Sequence, residues 1–76
     1  MGTKKIGTMI LVALTEKPKT FSEVKSSLTK SGLNCSSKEL DESIARLGRL
    51  GFLEVVEKSP VNRYGLTALG QAVLES

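Results

Sequence analysis

The chain has no histidine, no tryptophan and one cysteine, Cys35, in 76 residues. A lone thiol cannot close an internal disulfide, so no covalent staple supports the core. Without imidazoles it also cannot build a zinc site, and the carboxylates are too scattered for a carboxylate site. No metal and no cofactor are expected. Catalysis is disfavoured on the same ground, because no nucleophile–base pair is recognisable. Aromatic side chains are limited to Phe21, Phe52 and Tyr64, which leaves an aliphatic core. The apolar run Met9–Leu14 falls well short of the roughly 18–20 residues of a membrane span. It is also too short for a signal peptide, and Glu16 and Lys17 follow at once. A soluble, cytoplasmic protein is expected, without a membrane partner. Side-chain amides are scarce (Asn34, Asn62 and Gln71), and with many lysines this suggests a thermophilic source.

What is present points to one globular domain, residues 1–76, with 39% hydrophobic and 25% charged residues. This is near the lower size for an unaided core. The net charge of +3 permits a polyanionic partner without proving one. Its distribution is uneven. Lys4, Lys5, Lys17, Lys19, Lys25 and Lys30 face only Glu16 and Glu23 in the first half. From residue 36 to 66 the charges balance: Lys38, Arg46, Arg49, Lys58 and Arg63 against Glu39, Asp41, Glu42, Glu54 and Glu57.

Periodicity predicts a first helix from about Lys4 to Glu16, with Ile6, Met9, Ile10, Ala13 and Leu14 on one stripe. Leu11 and Val12 widen its apolar surface, either to receive the last helix or to serve self-association. Lys17-Pro18 ends it. Thr20-Phe21-Ser22-Glu23 is a capping box opening a second helix to about Lys30, with Phe21, Val24 and Leu28 inward. Ser31-Gly32 supplies a left-handed stop. Ser36-Ser37-Lys38-Glu39 is a second capping box, for a third helix with Leu40, Ile44, Leu47 and Leu50 inward and Gly51 past its end. Two capped helices joined by Gly32-Leu33-Asn34-Cys35 form a helix-turn-helix. Leu53, Val55 and Val56 then predict a strand, Ser59-Pro60-Val61-Asn62 a turn and Arg63–Leu66 a second strand. Thr67 caps a final short helix.

Three motifs stand in order along this frame: Pro18-Lys19-Thr20-Phe21-Ser22-Glu23-Val24, Arg46-Leu47-Gly48-Arg49-Leu50-Gly51-Phe52-Leu53 and Tyr64-Gly65-Leu66-Thr67-Ala68-Leu69-Gly70. Each is loose alone; together they resemble the winged-helix transcriptional regulators of the MarR, PadR and HxlR type. They equally resemble the compact versions carried by crenarchaea and their plasmids and viruses. The resemblance spans roughly residues 6–75. It implies an α+β, winged helix-turn-helix fold: a three-helix core, a two- or three-stranded β-wing and a short C-terminal helix. It also implies a double-stranded DNA partner, with the third helix in the major groove and the wing on the minor groove or backbone.

Carried over by position, the resemblance makes Ser36, Ser37, Lys38, Asp41, Glu42, Arg46 and Arg49 the candidate contacts of the third helix. Ser36 and Ser37 suit a phosphate and Lys38 a guanine edge; Arg49 suits a phosphate. Asp41 and Glu42 depart from the usual pattern. Glu42 could accept from cytosine N4, or pair with Lys38 and Arg46 at i,i+4. Lys58, Asn62 and Arg63 are the wing candidates, with Arg63 suited to a narrow minor groove. Lys25 and Ser26, with Lys19 and Lys30 at the ends of the second helix, are expected on phosphates. Cys35 is either a small, partly buried hydrophobe or, as in some relatives, a redox sensor. The leading expectation is a sequence-specific regulator that represses by occupying a promoter, as a possible homodimer on DNA. The alternative is a protein-interaction module of the transcription machinery, favoured by the neutral third-helix–wing segment.

Overall fold

The computed structural model describes residues 2–75, with side chains from residue 6 onward. Lys4 and Lys5, part of the expected basic excess, lie outside the residues with described side chains. The element order is α1 (Gly2–Leu14), β1 (Lys19–Thr20), α2 (Phe21–Lys30), α3 (Ser37–Arg49), β2 (Leu53–Glu57), β3 (Arg63–Leu66) and α4 (Ala68–Glu75). The strands form one antiparallel sheet in the order β1-β3-β2. β1 is too short to leave a periodic signal, and it makes the wing three-stranded.

The core is aliphatic and helical. Ile10, Val24, Leu28 and Leu40 are fully buried, and Ile6, Leu11, Leu14, Ile44, Leu47 and Leu53 close around them. α1 lies at the centre of the packing, against α2, α3, α4 and β3. Leu11 is buried and Val12 is 46% exposed, so only the first joins this core. α1 ends two residues before the expected Glu16, where Thr15 N–H and Oγ1 both donate to the Val12 carbonyl.

Both capping boxes form, each with its hydroxyl and its glutamate bonded to the other residue's backbone N–H. Both helices also end alike. Gly32 (φ +88°) and Gly51 (φ +84°) take the left-handed conformation, and the next residues, Leu33 and Phe52, donate back to Leu28 and Leu47. This reversal turns Leu50 outward, leaving it 53% exposed where the helical stripe predicted burial.

The adjacent valines of β2 break strict alternation, and the structure resolves this with a bulge. Val55 pairs with Tyr64 and Glu57 with Arg63, leaving Val56 as the extra residue. The Val56 side chain lies over Gly65, where an added Cβ would come within 2.7 Å of Val56 Cγ1. Thr67 joins strand to helix: its Oγ1 accepts from Gly70 N–H at 3.0 Å and donates to the Gly51 carbonyl at 2.5 Å. One hydroxyl thus fastens the start of α4 to the end of α3.

Candidate nucleic-acid interface

α3 buries Leu40, Ile44 and Leu47, which turns Lys38, Glu42, Ala45, Arg46 and Arg49 outward. All five are exposed. Neither Glu42 nor its neighbours Lys38 and Arg46 enter an ion pair; the three ion pairs found among the described residues lie elsewhere. The cations of this face are therefore not neutralised by contact.

At the N-terminus of α3, Lys25 reaches across from α2, and its Nζ donates to Ser37 Oγ at 2.7 Å. Lys25, Ser26 and Ser37, with Ser22 and Lys30, line one open hollow between the two helices. Ser36 keeps its hydroxyl on Glu39 N–H at 3.1 Å. The hollow thus brings ammonium groups, hydroxyls and a helix N-terminus to one place, a chemistry suited to an oxyanion. The bond between Lys25 and Ser37 joins residues twelve apart and had no signature in the sequence.

The adjacent carboxylates Asp41 and Glu42 separate. Glu42 stays on the outer face, whereas Asp41 lines a cleft of about 400 Å³ between α3 and β2, with Ala45, Glu54, Val55 and Tyr64. Asp41 thus flanks the outer face on the wing side.

Lys19 does not join the basic surface. It is 8% exposed, and its Nζ donates to the Ala13 carbonyl at 2.7 Å and contacts Glu16 Oε1 at 3.4 Å. It caps the end of α1, so the phosphate contact expected of it is corrected: its ammonium is already spent inside the fold. In the wing, Lys58 and Asn62 are exposed near the turn. Arg63 sits at the wing's base, with Nε 3.0 Å from Glu57 Oε1 and Nη1 3.2 Å from Glu23 Oε1. Glu23 titrates below the ordinary carboxylate range. The Thr20 backbone N–H that donates to it is the main cause, opposed by desolvation and assisted by Arg63 and Lys17. Cys35 is half-buried and packs against the core.

These elements define a winged helix-turn-helix domain. A PadR family transcription regulator from Clostridium difficile R20291 superposes on 92% of this chain and 79% of its own, with TM-score 0.81 and 18% identity. A PadR-like transcription factor from Bacteroides fragilis does so over 96% and 76%, with TM-score 0.82 and 24% identity. No family model and no curated protein matches the chain. No described helix is long and apolar enough to cross a membrane, and no described cluster of three or more His, Cys, Asp or Glu could hold a metal.

Proposed function

We propose that the chain is a sequence-specific, double-stranded DNA-binding transcription regulator that represses by occupying a promoter. α3 enters the major groove and the wing lies over the adjacent minor groove or backbone. One observation carries this: exposed, unpaired Lys38, Arg46 and Arg49 on the outer face of α3, with the Lys25–Ser37 bond at its N-terminus. In this role Lys25, Ser26, Ser36 and Ser37 hold backbone phosphates. Lys38 reads a guanine edge, Glu42 accepts from a cytosine, Asp41 borders the groove, and Arg46 and Arg49 meet phosphates. Lys58 and Asn62 approach from the wing, and Arg63 stands at its base. The fold shared with proteins described as transcription regulators supports the same role.

Two copies on a palindromic site would place their α3 helices about one helical turn, ~34 Å, apart. A longest dimension of 32 Å is compatible with that spacing. Such a regulator would work in the cytoplasm, on the nucleoid. Scarce amides with many lysines support a thermophilic source, and the resemblance to compact crenarchaeal regulators supports an archaeal one, a plasmid or virus included.

A gel-shift titration against the gene's own upstream region, at about 150 mM salt, tests the proposal. Preference over a random duplex is expected, and equal affinity for both overturns it. A second role, as a protein-docking module, is favoured by exposed Val55, Val56 and Val61 on the wing and by Asp41 and Glu54 in its cleft. In that case Lys38→Ala and Arg49→Ala would leave function intact.

A further inference from the structure

The structure assigns Arg63 a positioning role. It clasps Glu57 and Glu23 and so sets the angle of the wing against the helix-turn-helix, and it holds no phosphate itself. This rests on the DNA-binding proposal above.

Arg63 opens the central strand of the sheet, with Thr20 of β1 as its Cα partner on one side and Glu57 of β2 on the other. Its guanidinium bonds in two directions, from Nε to Glu57 at 3.0 Å and from Nη1 to Glu23 at 3.2 Å. The Glu23 oxygen that receives Nη1 also accepts the Thr20 backbone N–H at 2.9 Å. One polar cluster therefore joins both strand pairs to the first turn of α2. The bulge at Val56 makes it possible by bringing Glu57, rather than a valine, opposite Arg63.

At this level the other restraints on the hairpin are the pairing of Arg63 with Thr20 of β1 and Tyr64, which packs against the core. In β2 only Leu53 is buried, and every residue from Glu54 to Asn62 is exposed. The clasp lies at the base of the turn that carries Lys58 and Asn62, so it governs where those side chains stand relative to α3. Two carboxylates around one guanidinium leave a net negative charge, a poor seat for phosphate. Lys58 has no ion pair among the described residues and is the better wing cation. Arginine suits the clasp because its rigid fork can bond two carboxylates at once, which a lysine ammonium does with less geometric control.

The test measures dissociation constants of the full chain for its own upstream duplex across about 50–300 mM salt. The variants are Arg63→Met, Glu57→Gln, Glu23→Gln, the double variant R63M/E57Q, and Lys58→Ala. Glutamine at 23 keeps the capping box and removes only the charge. Arg63→Met, Glu57→Gln and Glu23→Gln should each weaken binding about two- to five-fold with the log–log salt slope unchanged. The double variant should bind no more weakly than Arg63→Met alone. Lys58→Ala should lower the slope by about 0.9. Glu57→Gln is decisive in sign, since removing a negative charge would by itself tighten binding. Tighter or unchanged binding by Glu57→Gln, or a slope about one contact lower for Arg63→Met, overturns the clasp. A readout without DNA separates the two proposals. Heteronuclear NMR should show a slowly exchanging Arg63 Nε–H that is lost in Glu57→Gln, and its absence from the parent protein overturns the clasp. Failure of the DNA-binding proposal appears instead in the parent protein, as no preference for its own duplex, and it overturns the wing's positioning role with it.

Discussion

The helix-turn-helix and the wing are built on opposite terms. α2 and α3 each bury an apolar stripe, close with a capping box and end at a left-handed glycine, so their stability is secured from inside. The cations on the outer face of α3, Lys38, Arg46 and Arg49, are then free of ion pairs among the described residues. The wing buries only Leu53 of β2, exposes Val55, Val56 and Val61, and spends its arginine on two carboxylates at its base. Where packing is deep, charge is left for a partner; where packing is thin, charge is used to hold the chain.

The sharpest way to break this contrast is in the helical core. Leu40 is fully buried, and Leu40→Ala should cost about 2–5 kcal/mol in urea unfolding. A loss below 1 kcal/mol, about what a surface change costs, would mean the core is not where stability lies. The wing's root should come next. A Cβ at Gly70 would run into the Phe52 carbonyl, so Gly70→Ala must move backbone and should cost about 1–3 kcal/mol. Calorimetry showing an unchanged melting temperature would contradict that junction.

Exposed cations of α3 should do the reverse. Lys38→Ala should leave stability within about 0.5 kcal/mol and make the salt dependence of DNA binding shallower or its base preference weaker. If binding does not change on either count, the free charges of α3 have no role in DNA recognition.

Acid should separate the two regions more gently. The folded state holds Glu23 below its ordinary value of 4.5. Its contribution is therefore complete above that value and is lost as pH falls through the lowered one. Glu23→Gln should flatten the acid limb of a urea-midpoint profile between about pH 6 and pH 2; parallel limbs would show that Glu23 is not involved. The smallest effect is expected at the wing tip, where Val61→Ser should change stability by less than about 0.5 kcal/mol. A larger loss there would show that the tip is packed after all.

Much of this architecture was legible because it is written locally. A capping box needs residues three apart, a left-handed stop needs one glycine, and Thr67 sits where strand must become helix. The burial of Leu40, Ile44 and Leu47 follows from spacing alone. Leu50 shares that spacing, yet it lies at the reversal into Gly51 and faces out. Val12 and Leu11 are adjacent in sequence, and only contact with neighbouring elements separates buried from exposed.

Charged side chains were the least legible. Composition counts Lys19, Lys25, Lys38 and Arg63 alike, but the fold gives each a different fate. Lys19 turns in to cap α1, Lys25 bonds Ser37, Lys38 is free and Arg63 is clasped. The sequence by itself determined the order of the four helices and the hairpin, the capping boxes and glycine stops of α2 and α3 and the α3 face turned outward, because backbone hydrogen bonds and helical periodicity act over a few residues. The tertiary structure alone decided the third strand, the bulge that brings Glu57 to Arg63 and which cations remain available. Those depend on partners up to 40 positions apart, as Glu23 and Arg63 are, and no local pattern encodes that distance.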